Sequence, residues 1–204
     1  MHRLVADHLF KRFGSRKVIN DISFELKSGE SIAVVGPNGS GKSTLLMMLL
    51  SALHPTKGTI SYFEDDARLD DTAIRAKTSL VSPYLNLYDT LTAEENLVFF
   101  TTVSGCHITG KETNALLAKV GLEGRGNDQV GAYSSGMKQR LKYAVALVNK
   151  PAFLFLDEPT SNLDDAGKQI VHEVIEEYRQ QAIIVIATNE KEEQSYAGQL
   201  CRIA

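Results

Sequence analysis

The most chemically specific segment of the sequence is a glycine-rich run over residues 36–43. It reads Gly-Pro-Asn-Gly-Ser-Gly-Lys-Ser and matches the pattern G-x-x-x-x-G-K-[ST]. Glycines let backbone N–H groups turn toward one point, the lysine can reach the β and γ phosphates of a nucleotide, and the serine hydroxyl can ligate Mg²⁺. The run therefore predicts a phosphate cradle. Its members, with the threonine that follows, are Gly36, Pro37, Asn38, Gly39, Ser40, Gly41, Lys42, Ser43 and Thr44.

Two neighbouring carboxylates form the second chemical feature. Asp157 and Glu158 come directly after four apolar residues over 153–156. In open α/β sheets, ligands gather at the carboxyl ends of the strands. Asp157 can hold Mg²⁺ through water, and Glu158 can polarise an attacking water. Taken alone, the pair also fits an ordinary acidic turn that ends a strand, but beside a phosphate cradle these metal-binding and water-activating roles are favoured.

The elements around the glycine-rich run support its placement. Alternating apolar and polar residues predict a half-buried strand over 18–26, and a continuous apolar run predicts a strand covered on both faces over 32–35. A helix is expected over 44–53 and a further strand over 59–63. The run thus lies between a strand and a helix, the context that this motif requires. An acidic stretch over 64–71 is expected to be a solvated loop.

The rest of the chain divides into a helical part and a second set of strands. Thr92 and Glu95 have the spacing of a capping box, and residues 111–120 are amphipathic. Apolar runs over 153–156 and 183–186 predict strands that flank a helix. The two parts of the α/β sheet are therefore expected to enclose a helical middle region.

Composition excludes several classes of protein. With 22 Lys and Arg against 25 Asp and Glu, the net charge is −3, so a nucleic-acid partner is not expected. The two cysteines, Cys106 and Cys201, are far apart and suggest neither a disulfide framework nor a zinc site. Residues 1–13 lack the apolar core of a signal peptide, and no apolar run could cross a bilayer. A cytoplasmic protein is expected, with any membrane role supplied by a partner.

These motifs together resemble the ATPase subunits of the ATP-binding cassette (ABC) family. Upstream of Asp157, the segment over 133–137 takes the place of the family's L-S-G-G-Q signature, and the segment over 161–164 resembles its D-loop. Phe13 resembles the aromatic residue that stacks on adenine. The resemblance implies ATP and Mg²⁺ as ligands, with Ser43 and Asp157 toward the metal. It also implies that Ser134, Ser135 and Gly136 of the signature face the nucleotide held by the other subunit, and that Asp164 is the aspartate of the D-loop.

Two departures from the family pattern bear on catalysis. The family's Q-loop glutamine is expected near Pro83, yet the first glutamine of the chain is Gln129. The family's switch histidine is expected after the strand that begins at 183, where Asn189 stands. The catalytic residues that the resemblance implies are therefore Glu158, Lys42 and Asn189. Because two polar groups are missing, slow ATP hydrolysis is expected.

The resemblance implies one ABC ATPase domain over residues 1–204. Its fold class is α/β, a P-loop NTPase with a mixed sheet core, an antiparallel β edge and an inserted helical subdomain. The core is expected over 1–83 and 150–204, and the helical subdomain over 84–149. The compact length most resembles the haem-exporter ATPase of cytochrome c maturation.

The partners implied are a second cassette, identical or different, and a separate transmembrane permease that holds the subunit on the cytoplasmic face of the membrane. The permease is expected to dock around Tyr84, Leu85, Leu87 and Tyr88, although core packing is an alternative role for these residues. Three other functions stay open: a soluble ABC protein without a transport role, a degenerate cassette with little turnover, and a P-loop GTPase or kinase. The last is disfavoured because Ala152 stands where the guanine-binding aspartate of N-K-x-D belongs.

Overall fold

Two β-sheets form the framework of the chain, and helices pack around one of them. A computed structural model describes residues 1–203, so residue 204, the last of the expected domain, lies outside the described part. The elements in chain order are β1 (His2–Phe13), β2 (Arg16–Lys27), β3 (Ser31–Val35), α1 (Lys42–Leu49), β4 (Lys57–Glu64), β5 (Ala67–Arg68), α2 (Asp71–Lys77), β6 (Thr78–Val81), α3 (Ala93–Val103), α4 (Gly110–Lys119), α5 (Ser135–Leu147), β7 (Phe153–Asp157), α6 (Asp165–Arg179), β8 (Ile183–Thr188), α7 (Lys191–Gln194) and β9 (Gln199–Arg202).

The larger sheet is parallel and sets the position of the chemical residues. Its strand order is β6-β7-β8-β3-β9. Strands β3, β7 and β8 are buried along their whole length, as their continuous apolar sequences predict. Val35 is in register with Thr188, and Asp157 is in register with Ala187. The three central strands therefore end at the same edge, which brings together the residues that follow each of them.

The smaller sheet is antiparallel, in the order β2-β1-β4-β5. The sequence pattern does not predict β1, because charged residues interrupt its apolar ones. Only Leu4, Ala6 and Leu9 of this strand are buried, and His8 interrupts the register with a positive φ of 45°. The presence of parallel and antiparallel strands with helices confirms the predicted α/β fold class. The two strand types lie in separate sheets.

Hydrophobic packing divides between two clusters of buried residues. One joins the antiparallel sheet and α1 to one face of the parallel sheet, through Phe153, Phe155 and Val185. The other joins the remaining face to the helices, through residues such as Leu154 and Leu156. Alternate residues of β7 thus point into different clusters, as the two-residue period of a strand requires.

Two local features differ from the sequence predictions. Helix α1 ends at Leu49 rather than at residue 53, because Ser51 adopts a left-handed φ of 57° that a helix cannot continue. The acidic stretch over 64–71 is not one loop. Asp65 and Asp66 make a tight turn with positive φ between β4 and β5, and Asp70 caps α2 by accepting a hydrogen bond from the Ala73 N–H.

Helices α3, α4 and α5 lie between β6 and β7 in the chain. Capping boxes begin the first two: Thr92 with Glu95, and Thr109 with Glu112. Among the described residues, no helix combines the length and the apolar character needed to cross a membrane.

Candidate functional site

The glycine-rich run forms the connection between β3 and α1. Gly39 and Gly41 have positive φ values of 80° and 109°, which side chains rarely adopt. A Cβ atom on Gly41 would also lie only 2.6 Å from Cγ1 of Val18. The first backbone N–H groups of a helix have no partner within the helix, and the helix dipole is positive there. The loop and the start of α1 therefore present N–H groups to one anion-binding concavity.

Lys42 lies within this loop as its first helical residue. Its ammonium donates to the carbonyl oxygens of Gly36 at 2.9 Å and of Pro37 at 3.2 Å, and the residue is only 6% exposed. The backbone thus holds a buried positive charge across the loop. A charged donor held in place is suited to the oxygens of a phosphate group.

Asp157 and Ser43 meet at the end of β7. Burial raises the pKa of the Asp157 carboxyl, while a hydrogen bond from Ser43 opposes this rise. The negative charge of Glu158 adds to the rise, and the positive charge of Lys42 opposes it. A carboxylate and a hydroxyl that converge fit Mg²⁺, which is usually held by one or two protein oxygens together with substrate phosphates. The described residues contain no cluster of three or more His, Cys, Asp or Glu side chains that could hold a metal ion.

Glu158 follows Asp157 in an uncommon backbone conformation. Its φ is 48°, in the left-handed region, and its N–H donates to the Ala187 carbonyl at 2.9 Å. This conformation costs a non-glycine residue on the order of 1–3 kcal/mol and is concentrated at functional sites. The turn directs the side chain away from the strand and into a cavity beside the phosphate loop.

A cavity of about 600 Å³ joins these groups. Its lining residues are Phe13, Arg16, Val18, Asn38, Gly39, Gly41, Lys42, Ser43, Thr44, Tyr84 and Glu158. Phe13 is about half exposed at the mouth, as a stacking residue needs to be. Arg16, which the motifs do not predict, donates to the Gly39 carbonyl at 3.2 Å. Its position three residues after Phe13, the expected adenine-stacking residue, is the sequence signal that could have indicated a role at this site.

Asn189 reaches the phosphate loop from the end of β8. Its Nδ2 donates to Oδ1 of Asn38 at 3.3 Å. It lines a separate cavity of about 380 Å³, which Glu158 also lines. The residue is therefore adjacent to the phosphate loop, but it does not line the larger cavity.

The residues of the signature segment do not line the 600 Å³ cavity. Ser134 and Ser135 are exposed at the start of α5, where the Ser134 hydroxyl accepts a hydrogen bond from the Met137 N–H at 3.2 Å. Gly136 lies beside the segment that contains Asp164, since its Cβ would be 3.3 Å from the Asn162 carbonyl oxygen. These residues form an exposed edge apart from their own chain's phosphate loop.

Asp164 is also exposed, and it caps α6. Its carboxylate accepts a hydrogen bond from the Gly167 N–H at 2.9 Å. A capping role accounts for this contact by itself.

A lysine that the sequence analysis missed holds the segment around Pro83. The Lys142 ammonium donates to the Ser82 carbonyl at 3.1 Å and to the Pro83 carbonyl at 2.8 Å. The residue is buried, and this burial lowers its pKa. A lysine within a helix usually predicts an exposed face, so the sequence carries no signal for this contact.

The segment that follows Pro83 divides between surface and core. Tyr84 is 77% exposed and Tyr88 is 47% exposed. Leu85 and Leu87 pack against the helical cluster and are partly buried. The tyrosine side chains therefore face solvent, with Tyr84 also lining the 600 Å³ cavity, whereas the leucines pack against the core.

An exposed aromatic surface continues from Tyr88 onto α3. The Tyr88 and Phe99 rings meet edge to face with their centroids 4.7 Å apart, and Val103 is 71% exposed. We refer to Tyr84, Tyr88, Phe99 and Val103 as the aromatic patch.

Comparisons with known proteins agree with this geometry. A family model described as ABC transporter matches residues 19–161. The chain is 34% identical, over 91% of its length, to a linearmycin resistance ATP-binding protein of Bacillus subtilis (strain 168). It is 36% identical, over 95% of its length, to a Nod factor export ATP-binding protein of Burkholderia orbicola. The chain spans 60% and 65% of the lengths of these two relatives.

A solved structure gives the same match. The structure of an ATP-binding subunit of an ABC transporter superposes with a TM-score of 0.84 at 26% identity. The match covers 98% of this chain and 85% of the other.

Proposed function

Because the chain belongs to the ABC transporter family, we propose that it is an ATP-binding and ATP-hydrolysing subunit that powers transport when two cassettes pair around ATP. The observation that carries the proposal is the shared cavity, in which the phosphate loop, Phe13 and Glu158 face one space of nucleotide size. A parallel sheet that ends its central strands at one edge supports the assignment.

In this proposal the phosphate loop and Lys42 bind the phosphates, and Phe13 stacks on the adenine ring. Ser43 and Asp157 would hold Mg²⁺, which neutralises charge on the β and γ phosphates when it is bound. The proximity of the Ser43 hydroxyl to Asp157, whose pKa it lowers against the effect of burial, supports their joint role.

Glu158 is the proposed catalytic residue. Its carboxylate orients a water and accepts its proton while the water oxygen bonds to the γ-phosphorus. The bond between that phosphorus and the bridging oxygen breaks, which leaves ADP and phosphate. Lys42 stabilises the charge that develops on the leaving side. The left-handed backbone at Glu158 supports this role, since it aims the side chain into the cavity.

The exposed signature edge supports pairing of two cassettes. Ser134, Ser135 and Gly136 lie at the positive end of helix α5, which attracts phosphate, yet they do not line their own chain's cavity. We propose that they contact the ATP held by a second cassette, identical or different. Asp164 belongs to the neighbouring segment and is proposed to act at the same interface.

The permease is the second proposed partner. The aromatic patch is exposed and runs from Tyr84, three residues after the end of β6, to Phe99 and Val103 on α3, so a partner bound there would contact both the end of the sheet and the helical region. Exposed aromatic side chains are typical anchors of protein interfaces. A separate transmembrane subunit on this patch would hold the cassette at the cytoplasmic face of the membrane.

The domain layout and the transporter type are further parts of the proposal. We propose one ABC ATPase domain with a core over 1–83 and 150–204 and a helical subdomain over 84–149. The compact haem-exporter type stays a prediction from the sequence, since the two relatives above are named for linearmycin resistance and Nod factor export. Pro83 and Asn189, in place of glutamine and histidine, support slow turnover.

Phosphate release from Mg-ATP by the purified chain tests this function. We expect slow steady-state turnover that Glu158→Gln abolishes while ATP binding is kept. The matched control is Glu123→Gln, which makes the same chemical change at an exposed position. Turnover that persists in Glu158→Gln would overturn the assignment of Glu158, and failure of the parent to bind ATP would overturn the function itself.

A further inference from the structure

The backbone that follows Glu158 is held from the side of helix α5. The carbonyl oxygen of Pro159 accepts two hydrogen bonds, from Nε2 of Gln139 at 3.3 Å and from the hydroxyl of Tyr143 at 3.0 Å. Both side chains are buried, at 2% and 0% exposure. Helix α5 thus fixes the residue immediately after the proposed catalytic carboxylate.

The next residue, Thr160, is held by Glu193 of α7. One carboxylate oxygen of Glu193 accepts hydrogen bonds from the Thr160 N–H at 2.8 Å and from the Thr160 hydroxyl. The other oxygen is buried and has no hydrogen-bond partner among the described residues. Both hydrogen bonds that this carboxylate makes within the described chain therefore go to Thr160.

Burial of Glu193 is difficult to explain by stability alone. The residue is 2% exposed, and a buried carboxylate costs free energy unless its oxygens are fully paired. Here one oxygen is unpaired, and no cation lies within ion-pair distance of Glu193 among the described residues. An arrangement that costs stability and serves one backbone position indicates a role at that position.

Glu158 supplies the reason for such a role. Its left-handed backbone, at φ 48°, persists only when the surrounding structure fixes it. The N–H of Glu158 is fixed by Ala187, and its carbonyl accepts from the Ser161 N–H at 3.1 Å. Thr160 lies inside the turn that this last bond closes, so a shift of Thr160 would rotate the Glu158 side chain.

We propose that Glu193 is a positioning residue for Glu158, which acts through Thr160 to keep the catalytic carboxylate aimed at the γ-phosphate. The inference rests on the proposed function, because it concerns the same hydrolytic step. Glu193 does not line the 600 Å³ cavity of the phosphate loop, although it shares the separate 380 Å³ cavity with Glu158. Its two hydrogen bonds go to Thr160, so its proposed effect on Glu158 passes through the backbone of residues 158–160.

Steady-state kinetics of three variants test the proposal. We expect Glu193→Ala to lower kcat by roughly 10²-fold, because a misplacement near 1 Å can cost that much, with the KM for ATP changed less than about threefold. Thr160→Val removes the hydroxyl bond at constant shape, and we expect kcat to fall by roughly 10-fold. Glu193→Gln should retain most of the activity, since its amide oxygen can still accept both bonds. The control is Glu192→Gln, an exposed neighbour whose kcat should match the parent.

The outcomes separate this inference from the function on which it rests. If Glu158→Gln abolishes turnover but folded Glu193→Ala and Thr160→Val keep the parent kcat, the positioning role is wrong and the ATPase assignment stands. If Glu193→Ala does not fold, Thr160→Val decides by the same criterion. A fall in melting temperature with kcat and KM unchanged would show a purely structural role and overturn the proposal. A parent without Glu158-dependent turnover would overturn the proposed function and the positioning role with it.

Discussion

Asn189 Nδ2 lies 3.3 Å from Asn38 Oδ1, so the end of strand β8 is joined to the phosphate-binding loop by a pair of amides. An amide donates and accepts hydrogen bonds but does not change its protonation near neutral pH. A histidine at this position could form hydrogen bonds and also change its protonation, since the pKa of an imidazole lies within the pH range in which most proteins work. Asn189 can therefore position groups of the phosphate loop by hydrogen bonding, but it cannot gain or lose a proton there.

We predict that Asn189→His raises the kcat for ATP hydrolysis. A preorganised donor to a developing charge is worth roughly 10² to 10³ in rate, so even partial use of the imidazole should be measurable. Phosphate release at several pH values is the measurement, and a new pH dependence should accompany the gain. Asn20→His, at an exposed position of β2, is the matched control. An unchanged kcat in Asn189→His would mean that another residue already fills the role.

Lys42→Ala should weaken ATP binding strongly. The substitution removes a buried ammonium that the carbonyls of Gly36 and Pro37 hold in the loop. A hydrogen bond to a charged group contributes about 1.5–3 kcal/mol, which corresponds to roughly a 10- to 100-fold loss of affinity. Titration calorimetry measures the affinity for ATP, and Lys57→Ala, at an exposed position, is the control. Equal affinity in parent and variant would contradict the assignment of the phosphate loop.

The phosphate site could be predicted from the sequence because its chemistry is local. Residues 36–44 are continuous in the chain, and Asp157 and Glu158 follow a strand that its apolar run reveals. The contacts that hold the site could not be predicted, because they join residues far apart: Lys142 and Pro83 are separated by 59 positions. Glu193 lies in an acidic segment that is typical of an exposed surface, so its burial depends on the packing of α7.

Strand β1 shows the corresponding limit for the fold. Only Leu4, Ala6 and Leu9 of the twelve residues of β1 are buried, and a bulge at His8 breaks the alternation on which a strand prediction depends. Residues 2–13 form a strand because they pair with both β2 and β4, and this pairing depends on tertiary contacts that the local sequence pattern does not contain.

Lys142 should make the free energy of unfolding depend on pH in the alkaline range. Burial lowers its pKa below the usual value of 10.5, so between the two values the unfolded chain binds more protons than the folded one. The free energy of unfolding contributed by this group therefore rises with pH in that window. Urea unfolding of the parent and of Lys142→Met from about pH 8 to about pH 10 measures the effect. As the pH rises, the free energy of unfolding of the parent should increase relative to that of Lys142→Met. Free energies of unfolding that change in parallel with pH in the two proteins would contradict the prediction.

Substitutions of Leu87 and Tyr84, both in the segment after Pro83, should have different effects. Leu87→Asp places a charge against the helical cluster and should lower the free energy of unfolding by about 1–3 kcal/mol. Tyr84→Ser should leave the melting temperature unchanged, because Tyr84 is 77% exposed, but should weaken binding to a co-expressed permease. Thermal unfolding and copurification from detergent measure the two effects. Undiminished permease binding by Tyr84→Ser would remove this residue from the docking surface.

The pairing of two cassettes around ATP should be visible in the mass of the Glu158→Gln variant in solution. This variant should bind ATP without hydrolysing it, so the paired state should accumulate. Light scattering during size exclusion should give the mass of one chain without nucleotide and twice that mass with Mg-ATP. Ser134→Arg, at the exposed signature edge, should keep ATP binding and prevent the doubling. A Glu158→Gln protein that binds Mg-ATP but keeps the mass of one chain would show that two cassettes do not pair around ATP.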